Sequence, residues 1–275
     1  MFSIARKLRR EEKTVGFVPT MGALHSGHLA LVQEARAACD IVVVSIFINP
    51  AQFNDGADLE NYPRDLAADA ATLAEYDVDY VFAPDAEEIY PDGFSTYVNV
   101  EGVTETLEGV SRPGHFRGVA TVVAILFNTI RPDRAYFGQK DAQQVAVIKR
   151  LTLDLGFETE IVVVPTVREE SGLAMSSRNT LLSDDEHKKA SVIIEALREV
   201  KIAFKKGERN AAHLTEIVKN RIGAEPLAHI DYVAIVNRET LQSIEKIGDE
   251  ETLIVAAVFI GDIRLIDNVI LNRKQ

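Results

Sequence analysis

The chain has 275 residues, 47 % of them apolar and 26 % charged, with a formal net charge of −12. That length suits one large domain or two modest ones with an ample core, and the composition is that of an ordinary globular protein. So acidic a chain is a poor general binder of polyanions, nucleic acid included, although a single phosphate group needs only local donors. Cys39 is the only cysteine, which excludes an intrachain disulfide and fits a reducing compartment.

The N-terminal "MFSIARKLRREEK" is basic, but no apolar core of a secretory signal follows it. Residues 14–33 lack Lys, Arg, Asp and Glu, yet they include Pro19, three glycines and two histidines, which make the segment unfit to span a membrane. The expectation is a cytoplasmic protein.

"TVGFVP" reads as a short buried strand and "GHLALVQEARAA" as a helix with apolar residues on neighbouring turns. "DIVVVSIFIN" is a continuous apolar, β-branched run, the pattern of a strand covered on both faces. "YPRDLAADAATLAEY" predicts a helix, "DYVFAP" a strand, "GVATVVAILFNTI" an apolar helix and "RAYFG" a strand. "DAQQVAVIKRLTLDLG" predicts a helix ending at Gly156, and "ETEIVVVP" a further strand. Alternating strands and helices imply a parallel α/β sheet with right-handed crossovers. Near Leu181 the pattern changes. "SDDEHKKASVIIEALREVKIAFKKG" predicts a long helix capped by Ser183, and a second helix is expected over about residues 211–222. "IDYVAIVN", "TLIVAAVFIG" and "IRLIDNVIL" then read as strands with few helices between them. The fold class is therefore α/β, with a Rossmann-like N-terminal domain over 1–180 and a smaller α+β domain over 181–275.

Five segments carry side chains suited to chemistry. In "FVPTMGALHSGHLALV", His25 and His28 stand with Gly22 and Gly27 where a strand turns into a helix. Such a turn offers backbone amides and a helix N-terminus to an anion, and histidines there can stabilise charge on phosphoryl oxygens. Two histidines three apart can also ligate a metal, but zinc sites take three or four protein ligands and none completes this one nearby. In "IFINPAQFN", Asn49 and Gln52 follow the second strand, where parallel sheets place ligands; an ordinary Asn-Pro turn is the other reading. "GVSRPGHFRGVATVV" brings Arg112, His115 and Arg117 ahead of an apolar helix, as an anion site or as a solvated loop. "YFGQKDAQQV" places Lys140 and Asp141 at a strand end and Gln143 and Gln144 in the following helical turn. "VREESGLAMSSRN" follows the last of these strands and offers Gly172, Ser176, Ser177 and Arg178, either as a lid over phosphates or as a surface loop. Four of the five segments follow predicted strands, so they are expected at one edge of the sheet.

"PTMGALHSGH", "FINPAQF", "YPRD", "SRPGHFRGVATVV", "FGQKDAQQ" and "REESGLAMSSRN", in this order, closely resemble the pantoate–β-alanine ligase (pantothenate synthetase) family, within the wider nucleotidyltransferase superfamily that shares the His-x-Gly-His element. The resemblance implies a cytoplasmic homodimer that joins pantoate to β-alanine with ATP and magnesium, through a pantoyl adenylate, releasing AMP and pyrophosphate. It assigns Met21, Gly22, Ala23, Leu24, His25, Ser26, Gly27 and His28 to the ATP site, with His28 as proton donor. It also assigns Gly138, Gln139, Lys140, Asp141 and Val167 to ATP, and Met175, Ser176, Ser177 and Arg178 to its phosphates. Gln52 and Gln144 are implied to hold pantoate, with Gln52 also close to β-alanine; the metal ligands are left open. Ser26, Gln139 and Ser171 depart from the commonest family pattern, which has acidic residues there. His25, His28 and Lys140 are expected to act mainly by stabilising charge.

Overall fold

The computed structural model describes residues 1–54 and 56–272. Contacts group Met1–Gly138 with Gln143–Pro165 in one compact unit, and Gln139–Ala142 with the chain from Thr166 onward in a second. Sequence patterning alone put the division at 180/181.

The first unit contains, in chain order, α1 (Phe2–Arg10), β1 (Val15–Thr20), α2 (Ser26–Ala38), β2 (Ile41–Ile46), α3 (Gly56–Asn61) and α4 (Leu66–Ala74). β3 (Tyr80–Phe82), α5 (Ala86–Ile89), α6 (Glu108–Ser111), α7 (His115–Ile130), β4 (Arg134–Gly138), α8 (Ala142–Asp154) and β5 (Glu160–Val164) follow. Its five strands are all parallel, in the order β3-β2-β1-β4-β5. This is the α/β sheet expected from the alternating pattern. Strand alternation divides the core between its faces. Val18, Val42, Val44 and Tyr136 pack with Leu31, Val32 and Ala35 of α2 and Leu73 of α4. Phe17, the neighbour of Val18, meets Phe127 of α7 edge-on, with ring centroids 6.3 Å apart. Because the strands are parallel, Thr20, Ile46, Gly138 and Val164 all end at one edge.

Several boundaries differ from the sequence reading, each for a local reason. The helix expected over residues 62–76 covers only Leu66–Ala74, because Asp65 caps it by accepting the Ala68 N–H at 2.9 Å. α7 begins three residues earlier than expected, at His115, which takes His115 and Arg117 out of a loop and onto a helix. α1, with only Ala5 and Leu8 buried, has too narrow an apolar face to stand out in the sequence.

The second unit contains α9 (Asp184–Lys189), α10 (Val192–Lys205), α11 (Ala211–Gly223) and the antiparallel sheet β6 (Ala228–Asn237), β7 (Thr252–Ile260), β8 (Ile263–Leu271), in that order. Leu197, Val200, Leu214, Val218, Ile254 and Val258 form its fully buried core. The single long helix expected from Ser183 is instead two. Ser191 donates its hydroxyl to the Lys188 carbonyl at 2.9 Å, and the Ile193 N–H reaches back only to Ala190, so the ladder breaks there. Ser183 does cap the first piece, in a reciprocal box with Glu186. Among the described residues no helix is long and apolar enough to cross a membrane.

Candidate functional site

In the first unit β1 pairs with β2 on one side and β4 on the other, so the strand order reverses at β1. Parallel sheets open a crevice beyond their strand ends at such a reversal. The turn after β1 lies there. Gly22 and Ala23 both have positive φ, +81° and +52°. A Cβ on Gly22 would stand 2.8 Å from Asp69 Oδ2. That carboxylate, buried on α4, accepts the Ala23 and Leu24 N–H groups at 2.9 Å each. The Gly22 N–H donates to Thr20 Oγ1, which itself donates to the Ser45 carbonyl. The sequence reading sent the amides of this turn to a bound anion; these three go to the protein itself.

His25 is the N-cap of α2, and its Nδ1 accepts the Gly27 N–H at 3.1 Å. His28 Nδ1 accepts the His25 N–H at 3.4 Å. The rings stack, with centroids 4.1 Å apart and planes 30° from parallel. With both Nδ1 atoms accepting, the neutral rings carry their protons on Nε2. A mutual capping box thus fixes both imidazoles at the start of α2 in the Nε2-protonated tautomer. Ser26 starts the helix and is exposed, so an acidic side chain is not needed to cap it.

The segment after β2 is tightly held. Asn49 is 1 % exposed and nucleates a 3-10 turn, Pro50–Gln52, by accepting the Ala51 N–H at 3.2 Å. Gln52 Nε2 donates to Met21 Sδ at 2.9 Å, which joins this segment to the histidine turn. Its carbonyl accepts from His115 Nδ1 at 2.8 Å and from Arg112 Nη2 at 3.3 Å. Arg112 and His115, which the sequence left between an anion site and a loop, therefore brace Gln52. Gln143 is the buried member of the "QQ" pair: it accepts the Glu108 N–H and donates to the Val103 and Thr106 carbonyls. Gln144 is half-buried in the first turn of α8.

In the second unit, Gln139, Lys140 and Asp141 form a 3-10 turn. Gln139 is buried; its Nε2 donates to Asn268 Oδ1 at 2.9 Å and its Oε1 accepts from Arg238 at 3.2 Å. Asn268 Nδ2 returns bonds to the carbonyls of Gln139 and Lys140 at 3.0 and 2.9 Å. A glutamine here can both donate and accept, which a glutamate could not match toward Asn268 in this orientation. Lys140 Nζ lies 3.5 Å from Asp141 Oδ1, and its side chain is 20 % exposed.

The segment read as either a lid or a loop is a braced hairpin. Met175 N–H donates to the Val167 carbonyl at 3.0 Å, and Arg168 bridges Ala174. Arg168 grips buried Asp267 with two bonds, 2.6 and 3.0 Å, and also holds the Gly172 carbonyl. Buried Asn179 donates to Glu169, which pairs with His187 at 2.9 Å. Ser171 Oγ accepts the Leu173 N–H at 3.2 Å. Met175, Ser176, Ser177 and Arg178 follow, all half-buried, with Ser176 capping a 3-10 turn.

Met21 to His28 and Gln52 thus come together in the first unit, and Gln139–Asp141 and Val167 with Met175–Arg178 are each fixed in the second. Sequence reasoning missed Asp69, Tyr90, Asn268 and Asp267, which support these groups from distant parts of the chain.

A family model described as pantoate-beta-alanine ligase matches residues 1–270. The pantothenate synthetase of Heliobacterium modesticaldum is 54 % identical over 270 residues, covering 98 % of this chain and 96 % of that one. That of Caldicellulosiruptor saccharolyticus is 52 % identical over the same length, covering 98 % and 96 %. The crystal structure of pantothenate synthetase from Thermus thermophilus superposes with a TM-score of 0.91 at 48 % identity, covering 96 % of each chain. A pantoate-beta-alanine ligase from Francisella tularensis, crystallised with beta-gamma ATP and beta-alanine, gives a TM-score of 0.79 at 38 % identity, covering 98 % of this chain and 95 % of that one. Relatives sharing about half their residues along almost the full chain, and a solved structure that superposes on nearly all of it, leave one conclusion: the chain belongs to the pantoate–β-alanine ligase family, the pantothenate synthetases.

Proposed function

We propose that this protein joins pantoate to β-alanine in two steps, first forming pantoyl adenylate and pyrophosphate from pantoate and ATP, then pantothenate and AMP. The observation that carries the reading is the His25–His28 capping box at the reversal of strand order, with both ring protons on Nε2. The Francisella ligase crystallised with ATP and β-alanine ligands supports these two as substrates here. Met21–His28, Gly138–Asp141 and Val167 are assigned to ATP, Met175–Arg178 to its phosphates, and Gln52 and Gln144 to pantoate. A Cβ at Gly138 would meet nothing within 4 Å, so the strand end leaves room for a ligand.

The first step needs no strong base. Pantoate is a carboxylate at neutral pH and is itself the nucleophile. It needs alignment with the α-phosphorus and neutralisation of charge on the departing pyrophosphate. His25, His28 and Lys140 supply that neutralisation. Among the described residues no three His, Cys, Asp or Glu side chains cluster to cage a metal. Magnesium fits such a site, because it is commonly held by substrate phosphates with only one or two carboxylates. Asp141, whose side chain is 44 % exposed, is the carboxylate that would hold it, and the ion would offset phosphate charge. In the second step β-alanine must lose its ammonium proton. No dedicated protein base is assigned to that proton: desolvation in a water-poor site favours the neutral amine, with the proton passing to water as β-alanine enters or to a phosphate oxygen of the departing AMP, and the same dry site spares the adenylate from hydrolysis. The protein is proposed to act as a cytoplasmic homodimer.

The test is to follow pyrophosphate and AMP from ATP, Mg²⁺ and pantoate, with and without β-alanine. One equivalent of pyrophosphate without the amine, and sustained AMP with amide product once it is added, is expected. Pyrophosphate release indifferent to pantoate would refute the substrate assignment. His28→Ala should lower turnover by roughly 10²–10³, the usual loss for one such donor.

A further inference from the structure

We propose that Tyr90 is a positioning residue for substrate binding: its hydroxyl, acting through Asn49, fixes the Gln52 side-chain amide with its NH₂ group turned toward the pantoate site. The proposal rests on the assignment of Gln52 to pantoate made above.

The amide of Asn49 uses its full hydrogen-bonding capacity. Oδ1 accepts the Ala51 N–H at 3.2 Å and the Tyr90 O–H at 2.7 Å. Nδ2 donates to the Gly118 carbonyl at 3.1 Å and to Gln52 Oε1 at 3.1 Å. A backbone N–H can only donate and a backbone carbonyl can only accept. Ala51 and Gly118 therefore decide which end of the Asn49 amide is oxygen, and a flipped amide would face a donor with a donor and an acceptor with an acceptor. The polarity passes on. Because Asn49 offers Gln52 an N–H, Gln52 must offer Oε1 in return, and its Nε2 faces the other way, toward Met21 Sδ. One Nε2 proton goes to that sulfur, a weak acceptor, and the second is available to a ligand. Pantoate presents an acceptor-only carboxylate, which a fixed NH₂ group suits and a carbonyl oxygen would repel, and hydroxyls that can accept from the same NH₂ group.

Tyr90 makes the shortest bond in this chain, at the ordinary length for an O–H donor, whereas the N–H bonds of Asn49 are all longer than the ordinary N–H···O distance. Its ring is held edge-on by Phe94, with centroids 5.0 Å apart, and lies 6.3 Å from Phe47. Burial pushes the phenol up to about 12, so it remains a donor throughout the physiological range. Without it, Asn49 keeps only contacts of 3.1 Å or longer, and a buried Oδ1 loses a partner. The backbone beneath is already as close as it can come: a Cβ on residue 118 would stand 2.3 Å from the Ala51 carbonyl oxygen.

The experiment is steady-state kinetics of the full chain as wild type, Tyr90→Phe, Gln52→Ala, the double variant and Asn49→Asp, with thermal unfolding of each. Tyr90→Phe is expected to raise the pantoate KM about fivefold, the effect of one lost hydrogen bond, with kcat and the ATP KM within about twofold of wild type. That increase should vanish in the Gln52→Ala background, because the relay then has nothing to orient. Asn49→Asp, which presents oxygen to Gln52 and forces it to turn, should raise the pantoate KM more than Tyr90→Phe does. If Gln52→Ala raises the pantoate KM but Tyr90→Phe does not, the relay is wrong and the Gln52 assignment stands. If Gln52→Ala leaves the pantoate KM unchanged, the assignment fails and the relay with it. A Tyr90→Phe loss that is equal in both backgrounds, or that falls on kcat and the ATP KM alike, would make Tyr90 a packing residue only and overturn the proposal.

Discussion

Replacing Asp69 by asparagine keeps the size of the side chain and removes one of the two oxygens that hold the turn after β1. The wild-type carboxylate accepts the Ala23 and Leu24 amides, each at 2.9 Å. Bonds from an amide to a charged acceptor are worth about 1.5–3 kcal/mol each. Against them stands the left-handed backbone of Ala23, at φ +52°, which costs a residue with a Cβ about 1–2 kcal/mol. Two such bonds comfortably exceed that strain, whereas the one bond left to a neutral amide oxygen, worth about 0.5–1.5 kcal/mol, barely matches it. Asp69→Asn also sets an NH₂ against a backbone N–H, so the expected loss is about 1.5–3 kcal/mol. At about 2–4 °C per kcal/mol for a domain of this size, the first unfolding transition should fall by roughly 3–12 °C in calorimetry. Pantothenate formation should fall with it, because the same turn leads into His25 and His28. Ala23→Gly, which removes the Cβ from the left-handed position, should return part of the loss in the Asp69→Asn background. A variant that melts within about 1 °C of wild type and forms pantothenate at the wild-type rate would refute the argument that Asp69 holds this turn.

Gly118→Ala drives a Cβ to 2.3 Å from the Ala51 carbonyl oxygen, so it should cost about 1–3 kcal/mol in thermal unfolding and raise the pantoate KM; an unchanged Tm would mean that α7 moves freely away from the turn. Arg168→Met strips buried Asp267 of both guanidinium bonds and should cost about 3–5 kcal/mol, read as a lower urea midpoint with an unchanged slope. Glu208 is held at about 2, below its ordinary 4.5, by the Asn210 N–H, the His213 ring and the Arg209 N–H. A depressed carboxylate stabilises the fold above its unfolded value and loses that contribution as pH falls through the folded one. The protection of the Arg209 and Asn210 amides, measured as exchange relative to the intrinsic rate at each pH, should therefore fall between about pH 4.5 and pH 2, and Glu208→Gln should remove that fall in protection.

Chemistry confined to one stretch of chain was legible before the structure. "DIVVVSIFIN" and "ETEIVVVP" have the unbroken apolar runs of strands covered on both faces, and both lie in the parallel sheet. The histidine turn was recognisable because its glycine, its cap and its two imidazoles lie within seven residues. The strand order was not legible. β2 and β4 are both short and apolar, and nothing local says that both flank β1. The supports of the site were hidden for the same reason. Asp69 is one aspartate in an alanine-rich helix, 46 residues beyond the amide of Ala23 that it caps. Tyr90 reaches Asn49 across 41 residues, and Gln143 looks interchangeable with Gln144 in the sequence although only Gln143 is buried among carbonyls. Residues that do chemistry recur in motifs, whereas the residues that hold them are chosen by three-dimensional neighbours.

The bonds from Asn268 to Gln139 and Lys140 also bear on how the protein is made. Asn268 sits in β8, 129 residues after Gln139, and translation reaches it long after the strands of the first unit. While the ribosome is still adding β6 and β7, the Lys140 turn has already emerged without the side chain that will grip both its carbonyls. The sheet of the first unit can assemble on the nascent chain as soon as β5 appears, but Lys140 is set only when β8 arrives. A product truncated short of β8 would keep the earlier motifs and leave Lys140 unfixed, so a strand made more than a hundred residues later decides whether they become an enzyme.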